Sequence, residues 1–168
     1  MKKVFFILCL FMVVDSYAQN TPCACCDTTY RQFDFWVGEW TVTDSTGKHL
    51  GDNKIELVQN SCSLKENWTG ANGFTGMSIS FYERRAKQWN QVWVDQQGGS
   101  LKLTGAFEED RMVMTTPKRI NEETGLYTQN KISWIILPNG VVRHLWEQTT
   151  DSGKSWTVAF DGYYRKKN

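Results

Sequence analysis

Glu66 is the residue whose type and neighbours are best suited to chemistry. It lies between Leu64 and Trp68 in an alternating segment, and side chains two positions apart share one face of a strand. If that face is buried, the carboxylate loses solvation and its pKa rises unless a cation or hydrogen bonds compensate. Such a group works as an acid or base or holds a ligand. The alternative is an ion pair with Arg143 or a Lys that braces the structure.

Tryptophan accompanies polar side chains on other segments as well. Trp93 shares a face with Gln91, and Trp146 shares one with Gln148. An apolar cavity with a few convergent polar groups is typical of a small-molecule site. The alternative is that the eight tryptophans of the chain fill a core, and that His144 is a hydrogen-bonded strand histidine. The candidate ligand-binding residues are Glu66, Trp68, Gln91, Trp93, Arg143, His144 and Trp146.

Several established catalytic patterns are missing from the sequence. The segment Gly76-Met77-Ser78-Ile79-Ser80 lacks the second Gly of a hydrolase elbow, and no Gly-rich loop precedes a helix. The two histidines, His49 and His144, form no sequence cluster of the kind that holds zinc or iron. We therefore predict no metal and no cofactor.

The N-terminus has the residue pattern of an export signal. Lys2 and Lys3 precede an apolar run over residues 4–14, and Ser16-Tyr17-Ala18 offers a cleavage site after Ala18. The run is too short to span a bilayer, so we predict a secreted or periplasmic protein with no transmembrane segment after processing. Removal of two lysines and Asp15 lowers the formal net charge from +1 to zero. A net charge of zero gives no support to nucleic-acid or anionic-membrane binding.

Four cysteines follow the predicted leader: Cys23, Cys25, Cys26 and Cys62. In an oxidising compartment an even number indicates disulfides. Adjacent Cys25 and Cys26 pair with each other only under strain, so a member of the cluster is expected to reach Cys62. The alternative is a thiolate site for copper or zinc.

About ten short alternating segments, separated by turn sequences, predict the rest of the chain to be β-structure. Strands joined by tight turns favour an antiparallel up-and-down sheet, and closure into a barrel removes its edges. Residues 28–32 are expected to form one short helical turn. Alternation predicts that Glu66, Gln91 and Leu103 face inward, whereas the strand of His144 is not oriented by its pattern. The predicted strands are 35–43, 53–59, 63–69, 75–82, 88–94, 100–107, 111–116, 127–137, 141–149 and 156–165.

The motifs FDFWVGEWTV, SCSLKENWTG, FYERRAKQWNQVWVDQQGGSLKLTG and RHLWEQTTDSGKSWTVAFDGYYRK occur in this order along the chain. Together they resemble a family of exported bacterial proteins of unknown function with a lipocalin-like (calycin) barrel. The resemblance implies an all-β barrel similar to lipocalins and fatty-acid-binding proteins, with a cavity. Nitrobindin-like relatives bind haem through an axial His near the C-terminal strands, and His144 is the candidate for that role.

We accordingly divide the chain into a signal peptide (1–18), a Cys-rich lead-in (19–32) and one barrel domain (33–168). Gly38 and Trp40 open the first strand, and Arg165 on the last strand is expected to stack on the Trp40 indole at the closed end. The predicted function is binding of a small hydrophobic or amphipathic molecule. The alternatives are an isomerase or cyclase that uses Glu66, a haem barrel, and a structural domain without a cavity. No prediction of oligomeric state follows.

Overall fold

The computed structural model describes residues 23–167. Its elements are one helical turn α1 (Thr28–Arg31), a 3-10 turn at Asp34–Trp36, eleven strands and a second 3-10 turn at Pro138–Gly140. The strands are β1 (Gly38–Thr43), β2 (His49–Val58), β3 (Ser63–Gly70), β4 (Thr75–Glu83), β5 (Gln88–Asp95), β6 (Ser100–Glu108), β7 (Arg111–Thr115), β8 (Arg119–Ile120), β9 (Tyr127–Ile136), β10 (Val142–Thr149) and β11 (Thr157–Lys166).

The strands form a closed antiparallel barrel. Each strand from β1 to β6 pairs with the next, β7 pairs with β9, β9 with β10, β10 with β11, and β11 returns to β1. The two-residue strand β8 is an extra that pairs only with β9. Ten strands thus close the wall, which confirms the predicted all-β class, the up-and-down order and the short N-terminal helical turn.

The barrel has two distinct ends. At the end that we call the closed end, α1 and the Asp34–Trp36 turn precede β1 and lie near the turns at 59–62, 84–87, 109–110 and 137–141. At the opposite end, the mouth, lie the turns at 44–48, 71–74, 96–99, 116–126 and 150–156. Successive side chains alternate between interior and exterior, as predicted. Glu66, Gln91 and Leu103 are buried, and His144 faces the interior together with Trp146.

An aromatic plug fills the closed end. Phe33 stacks on Trp36 at 5.1 Å between ring centroids and meets Trp89 and Trp134 edge-on. Phe33 and Trp36 are fully buried. The Nε1 of Trp89 donates to Gln32 Oε1 at 3.0 Å, which ties the plug to β5. Apolar burial on this scale is the main stabilising term of a small barrel.

Two disulfides fasten the segment before the plug. Cys25 bonds to Cys62, in the turn between β2 and β3, and Cys23 bonds to Cys26. The expected link between the Cys cluster and Cys62 is therefore present, and its partner is Cys25. Because all four sulfur atoms are used, no thiolate remains for the alternative copper or zinc site. The predicted leader (1–18) and residues 19–22 lie outside the described residues.

The expected stacking of Arg165 on Trp40 is wrong. Trp40 lies opposite Lys166 across the β1–β11 pair, and Arg165 lies opposite Thr41 on the other face. Lys166 places its Nζ 5.5 Å from the Trp40 ring centroid, whereas Arg165 is exposed and donates to Thr43 Oγ1 at 2.8 Å. Trp40 itself is buried, and its Nε1 donates to the Trp36 carbonyl at 2.8 Å. Gly38 has a φ of 144°, in the region that favours glycine.

Candidate functional site

Glu66 is buried in the barrel interior, with 4% of its surface exposed. Asn53 Nδ2 donates to its Oε1 at 2.7 Å, and Ser78 Oγ lies 2.6 Å from its Oε2. These partners come from β2 and β4, which flank β3 on either side. Both carboxyl oxygens are therefore paired with neutral groups. The alternative ion pair of Glu66 with Arg143 does not form.

The hydrogen bonds continue from Glu66 across the barrel. Asn53 Nδ2 also lies 3.3 Å from the Tyr164 hydroxyl on β11, and that hydroxyl lies 3.2 Å from His144 Nδ1 on β10. Asn53 Nδ2 can only donate, so the Tyr164 oxygen accepts from it. The Tyr164 hydroxyl and His144 Nδ1 share a second hydrogen bond, whose direction depends on the imidazole tautomer. We call Glu66, Ser78, Asn53, Tyr164 and His144 the interior polar chain.

Burial shifts the pKa values of the interior polar chain in opposite directions. Loss of solvation raises the pKa of Glu66 to about 7, although the hydrogen bonds from Ser78 and Asn53 oppose the shift. Burial lowers the pKa of His144 to about 3, against a smaller effect of the Asp161 charge. Burial also raises the pKa of Tyr164 above its ordinary value. Near neutral pH, His144 and Tyr164 are thus uncharged and Glu66 is partly protonated.

Aromatic rings enclose His144. Its ring stacks on Trp134 with centroids 4.9 Å apart and contacts Phe160 and Tyr164. Within the described residues, His144 Nε2 and the Nε1 atoms of Trp36 and Trp134 are buried with no hydrogen-bond partner. An axial histidine needs a nitrogen that opens onto room for a flat macrocycle. Rings surround His144, and it lines none of the five pockets described for residues 23–167, so its surroundings do not fit haem.

Glu66, Trp68, Gln91 and Trp93 all face the interior, yet they do not line one common cavity. Gln91 Nε2 donates to Ser80 Oγ at 3.0 Å, and Trp93 lies against Gly76, where an added Cβ would be 2.1 Å from its ring. Glu66 and Gln91 line none of the five pockets described for residues 23–167.

Trp68 instead lines a pocket at the mouth. Its indole meets Phe160 edge-on at 6.0 Å between centroids. The pocket has a volume of about 500 Å³. Leu50 and Phe74 add apolar walls, and Lys48 supplies a cation. We call this the mouth pocket; its remaining lining residues are His49, Gly70, Ala71 and Asn72.

Arg143 and Trp146 separate onto opposite faces. Arg143 lies on the exterior, where Nε and Nη2 each donate to a carboxyl oxygen of Asp161 at 2.8 Å. It therefore makes no contact with the interior, where a ligand was expected, and its role in ligand binding stays a prediction. Trp146 faces the interior and donates through Nε1 to Asn130 Oδ1 at 2.8 Å.

No model of a known protein family and no curated protein matches this chain. The resemblance to exported lipocalin-like barrels stays a prediction. No group of three or more His, Cys, Asp or Glu side chains in residues 23–167 is arranged to hold a metal ion. No helix of the same residues is long and apolar enough to cross a membrane.

Sequence reasoning missed Asn53 and Tyr164 as partners of Glu66 and His144. A signal for Asn53 exists, because it falls on the face of β2 that also carries Ile55. A polar residue on a buried face needs a partner, and Glu66 provides it. Tyr164 becomes a candidate only once β11 is known to lie between β10 and β1.

Proposed function

We propose that this protein binds a small, mainly apolar molecule at the mouth of its barrel. The observation that carries the proposal is the mouth pocket, about 500 Å³ in volume, with the rings of Trp68, Phe160 and Phe74 around it. A pocket of this size and composition suits a compact flat or elongated organic ligand. Lys48, His49 and Asn72 at its rim offer polar contacts to an amphipathic one.

The interior polar chain supports this assignment because it lies deeper in the barrel than the mouth pocket and links the strands around it. Trp68 lies two positions from Glu66 on the same face of β3, one step closer to the mouth. Near neutral pH His144 is uncharged and Glu66 is only partly ionised, so the interior offers no full charge to pair with a ligand. The hydrogen bonds between β2, β3, β4, β10 and β11 hold the wall in one shape, which lowers the entropic cost of binding.

Binding is favoured over catalysis by the surroundings of Glu66. A general acid or base must reach a substrate atom within hydrogen-bond distance. Both carboxyl oxygens already bond to Asn53 and Ser78, and Glu66 lines none of the prominent pockets described. The isomerase or cyclase alternative therefore finds no support in this geometry. Export to the periplasm or outside the cell remains part of the proposal, and the two disulfides support it.

The test uses an uncharged fluorescent probe, N-phenyl-1-naphthylamine, whose emission rises in apolar surroundings. Ala71 is exposed and lines the mouth pocket, so Ala71→Trp fills the pocket without disturbing the core. Ala86 is equally exposed, in a turn of the closed end, and Ala86→Trp is the matched control.

We expect saturable binding of one probe per chain, weakened about tenfold or more by Ala71→Trp and unchanged by Ala86→Trp. Phe160→Ala is expected to weaken binding as well, since it removes one wall. Equal binding by the parent, Ala71→Trp and Phe160→Ala would overturn the mouth pocket as the site.

A further inference from the structure

The barrel wall is incomplete on one side of the mouth. β7 ends at Thr115, which pairs with Thr104, so residues 100–103 of β6 have no partner on that side. The chain then reaches Pro117, which has no N–H for a sheet, and β8 turns aside to pair with β9. A gap is left between residues 100–103 and the segment 116–119. We call this gap the seam.

The seam contains a pocket of about 400 Å³. Leu101 and Asn130 belong to the inward faces of β6 and β9, whereas Ser100 and Lys102 belong to the outward face of β6. Residues from both faces of the wall therefore line the seam. It is separate from the mouth pocket, with which it shares no lining residue. The other lining residues are Thr116, Pro117, Arg119 and Thr128.

Asn130 presents a hydrogen-bond donor to the seam. Its Oδ1 accepts from Trp146 Nε1 and from Gln148 Nε2, each at 2.8 Å. An indole N–H can only donate, so these bonds fix which atom of the amide is the oxygen. The Nδ2 group is thereby directed away from Trp146 and has no protein acceptor within the described residues. Ser100 and Thr128, which carry hydroxyl groups, also line the seam.

The charge of the seam is positive. Lys102 and Arg119 both line it, and its eight lining residues include no Asp or Glu. In the part of the chain that the structure describes, neither cation forms an ion pair. Two other wall cations do form ion pairs, since Lys131 pairs with Glu147 and Arg143 with Asp161. Two unpaired cations beside neutral donors are the chemistry that recognises an oxyanion.

We propose that the seam binds a small oxyanion, the carboxylate or phosphate group of a small molecule. Arg119 and Lys102 supply the charge, and Asn130 Nδ2 supplies a directed hydrogen bond from the inner side. The site goes beyond the mouth pocket, which selects apolar surface, and it does not depend on it.

The test is an NMR titration of backbone amides with inorganic phosphate and, separately, with acetate, at constant ionic strength. Asn130→Asp keeps the oxygen that accepts from Trp146 and Gln148 but replaces the amide donor with a negative oxygen. Arg119→Gln removes one charge. Arg165→Gln is the matched control, because Arg165 is an exposed cation on the outer face of β11.

We expect saturable shifts confined to the seam, with binding weakened about tenfold by Arg119→Gln and more by Asn130→Asp. The control should bind within about twofold of the parent. Preference for phosphate or for acetate supports the proposal and identifies the group. Shifts that do not saturate, or equal weakening by Arg165→Gln, would overturn it.

The two sites are distinguished by crossed measurements. Ala71→Trp should leave anion binding at the seam unchanged, and Asn130→Asp should leave binding of N-phenyl-1-naphthylamine unchanged. Failure of the probe to bind the parent would then overturn the mouth pocket as a ligand site, without affecting the proposed anion site at the seam. Loss of anion binding in Ala71→Trp would instead show that the seam is not an independent site.

Discussion

The closed end and the mouth of this barrel differ in how tightly they are packed and cross-linked. The closed end is filled by Phe33, Trp36 and their aromatic neighbours, and two disulfides fasten the segment before it. The mouth has half-buried rings such as Phe160 around open volume, and a wall interrupted beside Thr115. Stability is therefore concentrated at one end, and the binding that we propose lies at the other. This division agrees with the general observation that binding regions belong to the less stable parts of a fold.

The largest expected effect compares one phenylalanine from each end. Phe33 is fully buried in the plug, whereas Phe160 is half-buried at the mouth pocket. Phe33→Ala should lower the free energy of unfolding by about 3–5 kcal/mol, and Phe160→Ala by about 1–2 kcal/mol. Urea denaturation followed by circular dichroism measures both. Equal losses would contradict the division between the two ends.

The next effect concerns the cross-link to Cys62. Cys25 and Cys62 close a loop of 37 positions, whereas Cys23 and Cys26 close one of only three. The longer loop restricts the unfolded chain more, so loss of the first disulfide in Cys25→Ser/Cys62→Ser should cost about 2–4 kcal/mol. Cys23→Ser/Cys26→Ser is the control and should cost less. A larger loss in the control by denaturant titration would show that the short loop is the one that matters.

Between the two ends, the interior polar chain makes stability depend on pH in two opposing ways. Glu66 has a folded pKa of about 7, above its ordinary 4.5, so the folded state binds more protons and loses stability as pH rises from 4.5 to 7. His144 has a folded pKa of about 3, below its ordinary 6.5, so stability rises with pH from 3 to 6.5. Between pH 4.5 and 6.5 the contributions of Glu66 and His144 to the pH dependence of the free energy of unfolding cancel.

Glu66→Gln separates these two contributions, because Gln imitates the protonated carboxyl. In this variant only the His144 slope remains, and the free energy of unfolding should rise by on the order of 2–3 kcal/mol from pH 4.5 to 6.5. The parent should change much less over the same interval. Chemical denaturation at several pH values measures the difference. Parallel pH profiles of parent and variant would mean that Glu66 is already ionised in the folded state.

The smallest expected effect concerns the rim of the closed end. Lys166 lies over the Trp40 ring, while the exposed Arg165 bonds only to Thr43. Lys166→Ala should lower the free energy of unfolding by about 0.5–1 kcal/mol, and Arg165→Ala by less than about 0.5 kcal/mol. Thermal unfolding of both variants checks the order. The reverse order would restore the stacking of Arg165 that the sequence suggested.

Alternation and turn residues were sufficient to predict the barrel. Observed strands such as Ser63–Gly70 and Gln88–Asp95 differ from the predicted ones by one residue at an end. The first strand was predicted too long, because Asp34–Trp36 forms a 3-10 turn that enters the plug. Arg165 was misplaced for a related reason: side chains alternate, so an error of one position moves a residue to the opposite face.

The site was less predictable than the fold, because it depends on register between strands. On β4, Ser78 and Ser80 face inward while Met77 is 36% exposed, the reverse of what hydrophobicity alone would favour. The serines face inward to pair with Glu66 and Gln91, on neighbouring strands. The seam was missed because nothing in the alternating pattern shows that β7 is too short to cover β6.

The pairing of β1 with β11 bears on how the chain folds. Thr43 and Arg165 form a hydrogen bond although they lie 122 positions apart, so closure of the wall depends on a contact between distant parts of the chain. While the chain is being made, β1 can pair with β2 long before its second neighbour has been synthesised. Until then one edge of β1 and the interior side of the nascent sheet stay open to other molecules. Long-range closure of this kind is slow, so the unpaired edge of β1 stays exposed until β11 has been made.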